Sequence, residues 1–189
     1  RQARNATTYG IYHISQQGHG ERPLFTGEED RFTWLRIVAR AREKFQFKLY
    51  AYCASAPQEY HLVLNLQGGD MAKVMKSINI AYAMHAKYSG RLFRDRYKST
   101  LIENKEQLLA LMAQIHRRSR AQADTPDPYN SFCCYRGLVK EQQVPLDMTD
   151  ITMLEEVVQT SREGSKACNR CIQTMPDART HLKKLLAEN

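Results

Sequence analysis

Residues 47–66 read FKLYAYCASAPQEYHLVLNL, in which two runs rich in aromatic and aliphatic residues flank a short polar break. The runs cover residues 47–53 and 60–66, and both have the composition of β-strands. The break contains Ala-Pro-Gln-Glu, and a proline in such a position is typical of a turn. The stretch therefore predicts a β-hairpin.

A strand and a helix precede this hairpin, and a helix and a strand follow it. Tyr9 to Ser15 is aromatic and β-branched, and Thr26 opens a helix that runs to about Phe45. After the hairpin, Asp70 starts a second amphipathic helix, and residues 97–102 form a fourth strand. The order β-α-β-β-α-β predicts an α+β, ferredoxin-like split βαβ fold: a four-stranded antiparallel sheet with helices on one face.

The remaining third of the chain divides at a proline-rich break. A third helix is expected from Lys105 to about Gln122, before Thr125-Pro-Asp-Pro128 ends it. Further helices are expected at about 150–163, 165–174 and 177–187. We therefore divide the chain into a nucleic-acid-binding domain at residues 1–123 and a helical C-terminal extension at residues 124–189.

The positive charge is concentrated in the first of these parts. The chain carries 28 Lys and Arg against 20 Asp and Glu, a net charge of +8. Residues 1–120 hold 20 basic and 10 acidic side chains, whereas residues 121–189 hold 8 and 10. This asymmetry favours a polyanionic partner, and it indicates nucleic acid more than lipid because no basic amphipathic helix with an apolar aromatic face is present.

The composition excludes several other classes of protein. With 42% hydrophobic and 25% charged residues the chain is globular. Its apolar stretches fall far short of the roughly 20 residues that cross a bilayer, so we expect no membrane contact. The first residues lack the apolar core of a secretory signal, and we expect a cytoplasmic protein.

Five cysteines form an odd set, and without an export signal they do not indicate a disulfide framework. Cys133-Cys134 and Cys168-x-x-Cys171 raise the alternative of a four-thiolate zinc site. Adjacent cysteines rarely direct both sulfurs to one metal, and the second pair also has helical spacing. We therefore expect reduced thiols and not zinc.

Glu59 and His61 are the first candidate site. They are two residues apart on a predicted strand, so their side chains share one face of the sheet. A carboxylate oxygen and an imidazole nitrogen could together bind Mg²⁺ or Mn²⁺. The alternative is that both lie on the solvated side of an antiparallel strand without binding a metal.

A basic segment at residues 90–98 is the second candidate. Cations alternate there with aromatic residues, which suits phosphate binding together with stacking on unpaired bases. Cations at the end of the third helix are further candidates for phosphate binding, although the helix dipole also favours cations at that position. The alternative is that the aromatic residues only fill the core. The predicted nucleic-acid-binding residues are Arg91, Phe93, Arg94, Arg96, Tyr97, Lys98, Arg117, Arg118 and Arg120.

In this order, these motifs resemble the single-tyrosine transposases of insertion sequences and their REP-associated relatives. The resemblance spans about residues 9–120, and the element Leu-Phe-x-x-Arg-Tyr-Lys-Ser is its most specific part. The matching stretches are Tyr12-His-Ile-Ser-Gln-Gln-Gly18, Phe47 to Cys53, Pro57 to Leu64, Gly90 to Ser99 and Gln107-Leu-Leu-Ala-Leu111. The resemblance implies a ferredoxin-like nuclease that binds single-stranded DNA, often beside a hairpin, and cleaves it with a divalent metal through a covalent phosphotyrosine.

Two parts of the family's active site are changed in this chain. The family's metal motif is His-hydrophobic-His, and Glu59 stands at its first histidine. The family's third helix reads approximately Tyr-Ile-His-Leu-Asn-Pro, and the matching residues are Gln114 to Ser119. Gln114 thus occupies the position of the nucleophilic tyrosine, and an amide cannot form the phosphotyrosine. Arg118 stands where some members supply a third metal ligand.

We therefore favour a transposase-like protein that binds single-stranded or hairpin DNA and has lost strand cleavage. One alternative is an active metal-dependent nuclease or transposase that uses Tyr60, Tyr97 or an activated water as its nucleophile. Another is a protein-interaction module that acts through the C-terminal helices. A homodimer and RNA in place of DNA are also left open by the sequence.

Overall fold

A computed structural model describes residues 10–21, 23–118 and 127–132 of the chain. Four strands and three helices alternate in the predicted order. They are β1 (Ile11–Gln17), α1 (Glu28–Phe45), β2 (Lys48–Cys53), β3 (Glu59–Asn65), α2 (Met71–Ala86), β4 (Lys98–Ile102) and α3 (Lys105–His116).

The four strands form one antiparallel sheet in the order β2-β3-β1-β4. Placing β1 between β3 and β4 is the topology of the split βαβ unit, so the ferredoxin-like prediction is confirmed. In the register of the central pair, Gln17 lies opposite Glu59 and Ser15 lies opposite His61. Polar residues of β1 and β3 are thereby brought together at one end of the sheet.

Helices α1 and α2 pack on one face of the sheet and enclose the main core. Trp34 and Val38 of α1 and Ile78 of α2 are fully or almost fully buried there, against strand residues such as Ile14 and Leu62. These strand residues alternate with side chains that point to the opposite face, as the pleat requires. Burial of this apolar area is the main source of stability for the domain.

Helix α3 covers part of the opposite face. Its Leu108, Met112 and Ile115 are buried against Ala51 and Val63 of the sheet, in a second and smaller apolar cluster. The side chain of Asn104 caps the helix by accepting a hydrogen bond from the backbone N–H of Gln107 at 2.9 Å. Because α3 is fixed at its start and along its inner side, the position of its last turn relative to β3 is also fixed.

The third helix ends earlier than predicted. Arg118 donates its backbone N–H to Ile115 at 3.1 Å, an i to i−3 bond that tightens the turn after His116. Residues 119–126 lie outside the described part of the chain, as do the helices predicted between 150 and 187.

Residues 127–132 pack against the free edge of β2, four residues beyond the boundary predicted at 123. Asn130 forms a β-bridge with Cys53, and the backbone N–H of Ala54 donates to Tyr129 at 2.7 Å. Asn130 also donates from its side chain to the last turn of α3, at the carbonyl of Ile115 (2.9 Å). This segment therefore covers an otherwise unpaired strand edge and holds the end of α3. The domain boundary itself stays a prediction.

Among the described residues, none of the helices combines the length and apolar character needed to cross a membrane.

Candidate functional site

Glu59 and His61 lie on the face of the sheet that α3 partly covers, with Tyr60 pointing to the opposite face. The prediction that the two side chains share a face is thus confirmed by the geometry of β3. Oε1 of Glu59 and Nε2 of His61 are 3.3 Å apart, so both groups are directed at the same point.

Arg118 occupies that point. Its Nη1 donates a hydrogen bond to Nε2 of His61 at 2.8 Å and another to Oε1 of Glu59. Arg118 was predicted from the sequence to bind DNA, and the resemblance matched it to a third-ligand position. Its contact with Glu59 and His61 was not predicted. The described residues contain no group of three or more His, Cys, Asp or Glu side chains arranged to hold a metal ion.

His13 of β1 completes this arrangement. Its Nε2 lies 3.1 Å from Nδ1 of His61, and the two rings are stacked with their centroids 5.3 Å apart. Arg118 can only donate, so Nε2 of His61 accepts and the proton of that ring is on Nδ1. Nδ1 of His61 therefore donates to Nε2 of His13. We call His13, Glu59, His61 and Arg118 the Glu59–His61 cluster.

The protonation states agree with this assignment. Burial, the proximity of His61 and the charge of Arg118 lower the pKa of His13 to about 4. Burial also lowers the pKa of His61 and outweighs the opposing effect of Glu59. For Glu59, partial burial alone would raise the pKa, but the hydrogen bond from Gln17 and the charge of Arg118 help to lower it below its usual range. At neutral pH the cluster holds two neutral imidazoles, one carboxylate and one guanidinium.

In this arrangement the residues present do not fit a divalent metal ion. The donor atoms of Glu59 and His61 that would bind a metal both accept a hydrogen bond from the same nitrogen of Arg118. A metal would have to displace the guanidinium, and a dication next to it would be repelled. Metal binding by Glu59 and His61 stays a prediction from the sequence.

Gln114 is exposed on α3, four residues before Arg118, which lies beyond the last residue of the helix. A primary amide is not a nucleophile at neutral pH, and it cannot form a phosphoester with DNA.

The alternative nucleophiles are also poorly placed. Tyr60 is fully buried on the α1/α2 face, where its hydroxyl donates to Oδ1 of Asn79 at 2.6 Å and burial raises its pKa. Tyr97 belongs to the same core and is 9% exposed. Ser15 lies opposite His61 in the register, but both imidazole nitrogens of His61 are already occupied by Arg118 and His13. Neither ring nitrogen of His61 is therefore free to accept the proton of that hydroxyl.

The basic segment (residues 90–98) is fixed to the end of β1. The backbone N–H of Arg94 donates to Gln17 at 3.0 Å, and that of His19 donates to Leu92 at 2.9 Å. The side chains of Arg91, Arg94, Arg96 and Lys98 are exposed. Only one acidic residue, Asp95, lies among them, and its contacts with Arg91 (3.7 Å) and Arg94 (3.6 Å) are exposed and weak.

Arg94 connects this segment with the Glu59–His61 cluster. Its Nη1 donates to Oε1 of Gln17 at 3.4 Å, and Nε2 of Gln17 donates to Oε2 of Glu59 at 3.4 Å. A depression of about 450 Å³ lies at this junction; its lining comprises Gln17, Gly18, His19, Gly20, Gln58 and Arg94. The cationic segment and the cluster therefore form one continuous surface.

On its other side the basic segment lines a groove against α2. The groove has a volume of about 540 Å³ and combines the cations Lys76, Arg91 and Arg96 with the rings of Tyr88 and Phe93. Phe93 is half-buried against the main core, whereas Tyr97 is almost fully buried within it. Aromatic residues here therefore both fill the core and line the groove. DNA contact by Phe93 and Tyr97 stays a prediction.

The predicted cations at the end of α3 are only partly described. Arg117 is exposed beside Arg118. Arg120 lies outside the described residues, and so do all four cysteines of the zinc alternative, Cys133, Cys134, Cys168 and Cys171.

The contacts of His13 with His61 and of Gln17 with Glu59 were not predicted from the sequence. A signal for both was present, because His13, Ser15 and Gln17 are polar residues at alternate positions of one strand. This alternation predicts a polar face on β1. It does not show that the face adjoins Glu59, because that depends on β1 pairing with β3 in one register.

Comparison with known proteins supports the fold. No protein-family model matches the chain, and no curated protein matches it. Among solved structures, the chain is similar to a REP-associated tyrosine transposase bound to a REP hairpin, with a TM-score of 0.58 and 14% sequence identity. The match covers 74% of this chain and 88% of that one.

A second similar structure bears the name "putative transposase" and comes from Deinococcus radiodurans R1. Its TM-score is 0.42 at 17% identity, over 60% of this chain and 93% of that chain. At these identities the first similarity shows a shared fold, and the predicted likeness to the single-tyrosine transposase fold is thereby confirmed.

Proposed function

We propose that this chain is a transposase-like DNA-binding protein that holds single-stranded or hairpin DNA and does not cleave it. The fold is shared with a transposase whose structure contains a REP hairpin. The exposed cations of the basic segment supply the phosphate contacts that such a ligand needs.

The connection from Arg94 through Gln17 to Glu59 is the observation that carries the proposal. It joins the basic segment to Glu59, which by resemblance matches the first histidine of the family's metal motif. A strand that lies along the basic segment therefore reaches the Glu59–His61 cluster. The groove on the α2 side offers aromatic surface to unpaired bases, which favours single-stranded over fully paired DNA.

Loss of cleavage is supported by the residues around the cluster. Gln114 replaces the nucleophile, Tyr60 is buried on the other face, and the imidazole nitrogens of His61 are occupied. Strand cleavage requires an attacking oxygen and a means of activating it. In the described part of the chain, the ring nitrogens of His61 are both engaged and cannot accept a proton from a neighbouring hydroxyl.

Electrophoretic mobility shifts test the proposal. Labelled hairpin, single-stranded and duplex oligonucleotides of equal length are each titrated with protein at two salt concentrations. We expect the hairpin and single-stranded DNA to bind more tightly than duplex, and all binding to weaken at the higher salt because each phosphate contact releases counterions. Absence of any shift at low salt would rule the proposal out.

A further inference from the structure

We propose that the guanidinium of Arg118 takes the place of a divalent cation between Glu59 and His61, and that this fixed arginine binds a DNA phosphate without a metal ion. The second half of this inference rests on the proposed function. The first half concerns the protein alone and is tested separately.

The geometry of the two acceptors supports the substitution. Oε1 of Glu59 and Nε2 of His61 are 3.3 Å apart, and both atoms are hydrogen-bond acceptors. Two acceptors at this distance repel one another unless a positive group lies between them. Nη1 of Arg118 contacts both, and its two N–H groups match the two acceptors. One cationic nitrogen thus makes the two contacts that a bound metal would make.

The cluster is also balanced in charge without a metal. Glu59 contributes a negative charge, and the guanidinium of Arg118, in direct contact with it, contributes a positive charge. A dication added to this cluster would leave a large excess of positive charge in a partly buried place. The arginine therefore excludes the metal electrostatically as well as by occupying its position.

The guanidinium keeps donors for a ligand. Glu59 and His61 use the two N–H groups of Nη1, so the three N–H groups on Nε and Nη2 remain. The structure shows no partner for these among the described residues, and the side chain of Arg118 is 40% exposed. A planar edge with parallel N–H groups is the geometry that binds a phosphate through two hydrogen bonds.

Neighbouring residues hold the two acceptors in place. Gln17 donates to the second oxygen of Glu59, and His13 accepts from Nδ1 of His61. Because both anchors of the arginine are themselves fixed, its free edge is held in one orientation. Such a preorganised donor costs less conformational entropy on binding than a freely rotating arginine.

Titration with Mn²⁺ alone, followed by electron paramagnetic resonance of the free ion, tests the first half. The wild-type chain is expected to bind no Mn²⁺ at millimolar concentration. Arg118→Ala exposes the Glu59/His61 pair and is expected to gain one Mn²⁺ site, which the double variant Arg118→Ala/Glu59→Gln loses again. A Mn²⁺ site in the wild-type chain that Glu59→Gln abolishes would overturn the inference. So would the absence of Mn²⁺ binding in Arg118→Ala.

Binding of a labelled hairpin oligonucleotide in EDTA tests the second half. We expect equal affinity in EDTA and in Mn²⁺. We also expect a loss of about tenfold for Arg118→Ala, the effect of one charge-assisted hydrogen-bonded contact. Arg118→Lys keeps the charge without the planar edge and is expected to recover only part of the loss. The matched control is Arg40→Ala, an exposed arginine of α1 that faces away from the cluster.

The outcomes separate the two claims. Hairpin binding that requires Mn²⁺, or that is equally strong in Arg118→Ala and Arg40→Ala, would contradict the phosphate contact. If the wild-type chain binds no DNA at low salt, the proposed function fails, and the Mn²⁺ titration still decides whether Arg118 replaces a metal. Thermal unfolding of each variant shows that it is folded in these measurements.

Discussion

Gln17 and Glu59 are cross-strand neighbours, and their side chains are joined by a hydrogen bond of 3.4 Å between Nε2 of Gln17 and Oε2 of Glu59. Gln17 also accepts from Arg94, so one amide connects the basic segment with the Glu59–His61 cluster. The proposed function depends on this continuity, because DNA can then contact cations from two distant parts of the chain at once.

Replacing Arg94 and Arg96 together by alanine is expected to weaken hairpin binding and to reduce its dependence on salt. Each lost phosphate contact lowers the slope of log affinity against log salt by about 0.7 for single-stranded DNA, so the double variant should lose about 1.4. Fluorescence anisotropy over a series of salt concentrations measures the slope. Arg36→Ala/Arg40→Ala removes the same charge from α1 as a control, and an equal reduction there would mean that only net charge matters.

Restoring the missing tyrosine is not expected to restore cleavage. Gln114→Tyr places a phenol four residues before Arg118, but Glu59 and His61 still bind the guanidinium and offer no open metal site. We therefore expect no covalent protein–DNA adduct when this variant is incubated with labelled single-stranded DNA and Mn²⁺. Denaturing gel electrophoresis detects such an adduct, and its formation would show that the cluster is still competent for catalysis.

Packing of α3 on the sheet is expected to be important for stability. Met112 is fully buried in the second apolar cluster, so Met112→Ala should lower the free energy of unfolding by about 2–5 kcal/mol. Met84→Ala is the matched control, because Met84 is 73% exposed and its loss should change stability by less than about 0.5 kcal/mol. Denaturant unfolding measures both. Equal effects would mean that α3 is not packed as described.

The unfolding free energy is expected to fall as the pH is lowered below about 6.5, the usual pKa of histidine. Burial lowers the pKa of His116 to about 3 and helps to lower that of His13 to about 4. Between these values and 6.5 the unfolded chain binds more protons than the folded chain. Each histidine therefore contributes stability that is complete above pH 6.5 and is lost progressively down to its folded pKa.

A variant isolates the contribution of one histidine. His116→Gln is expected to reduce the slope of unfolding free energy against pH by up to about 1.4 kcal/mol per pH unit between pH 4 and 6. His19→Gln, at an exposed histidine, serves as the control for the loss of one imidazole ring. Denaturant unfolding at several pH values gives the slopes. A slope that is the same in His116→Gln and in the wild-type chain would contradict burial of His116 as a neutral ring.

Local patterns in the sequence were sufficient to predict the elements of the fold. The aromatic and aliphatic composition of residues 60–66 predicted β3, and the two-residue spacing predicted the shared face of Glu59 and His61. Asp70 was recognised as the start of α2, which it caps by accepting from Ala72 and Lys73. Strand β1 was predicted at residues 9–15 and is observed at Ile11–Gln17. Its end is set by pairing with β3, where Gln17 meets Glu59, and a single strand's composition does not contain that information.

The cluster itself depends on contacts between distant residues. Arg118 and Glu59 are separated by 59 residues, and the sequence does not show that the turn after α3 reaches the start of β3. Helical periodicity shows which side of α3 is buried, but the crossing point of α3 on the sheet depends on the packing of Met112 and Ile115. Tyr97 shows the same limit, because it lies directly before β4 and its ring packs in the main core.

Binding without cleavage is the central claim, and one measurement tests both parts. A labelled DNA hairpin with a single-stranded flank is incubated with excess protein and Mn²⁺ at low salt, and the same sample is analysed on a native and a denaturing gel. We predict a shifted complex on the native gel and intact, protein-free DNA on the denaturing gel. A nicked strand, a covalent adduct or an unshifted hairpin would contradict the account.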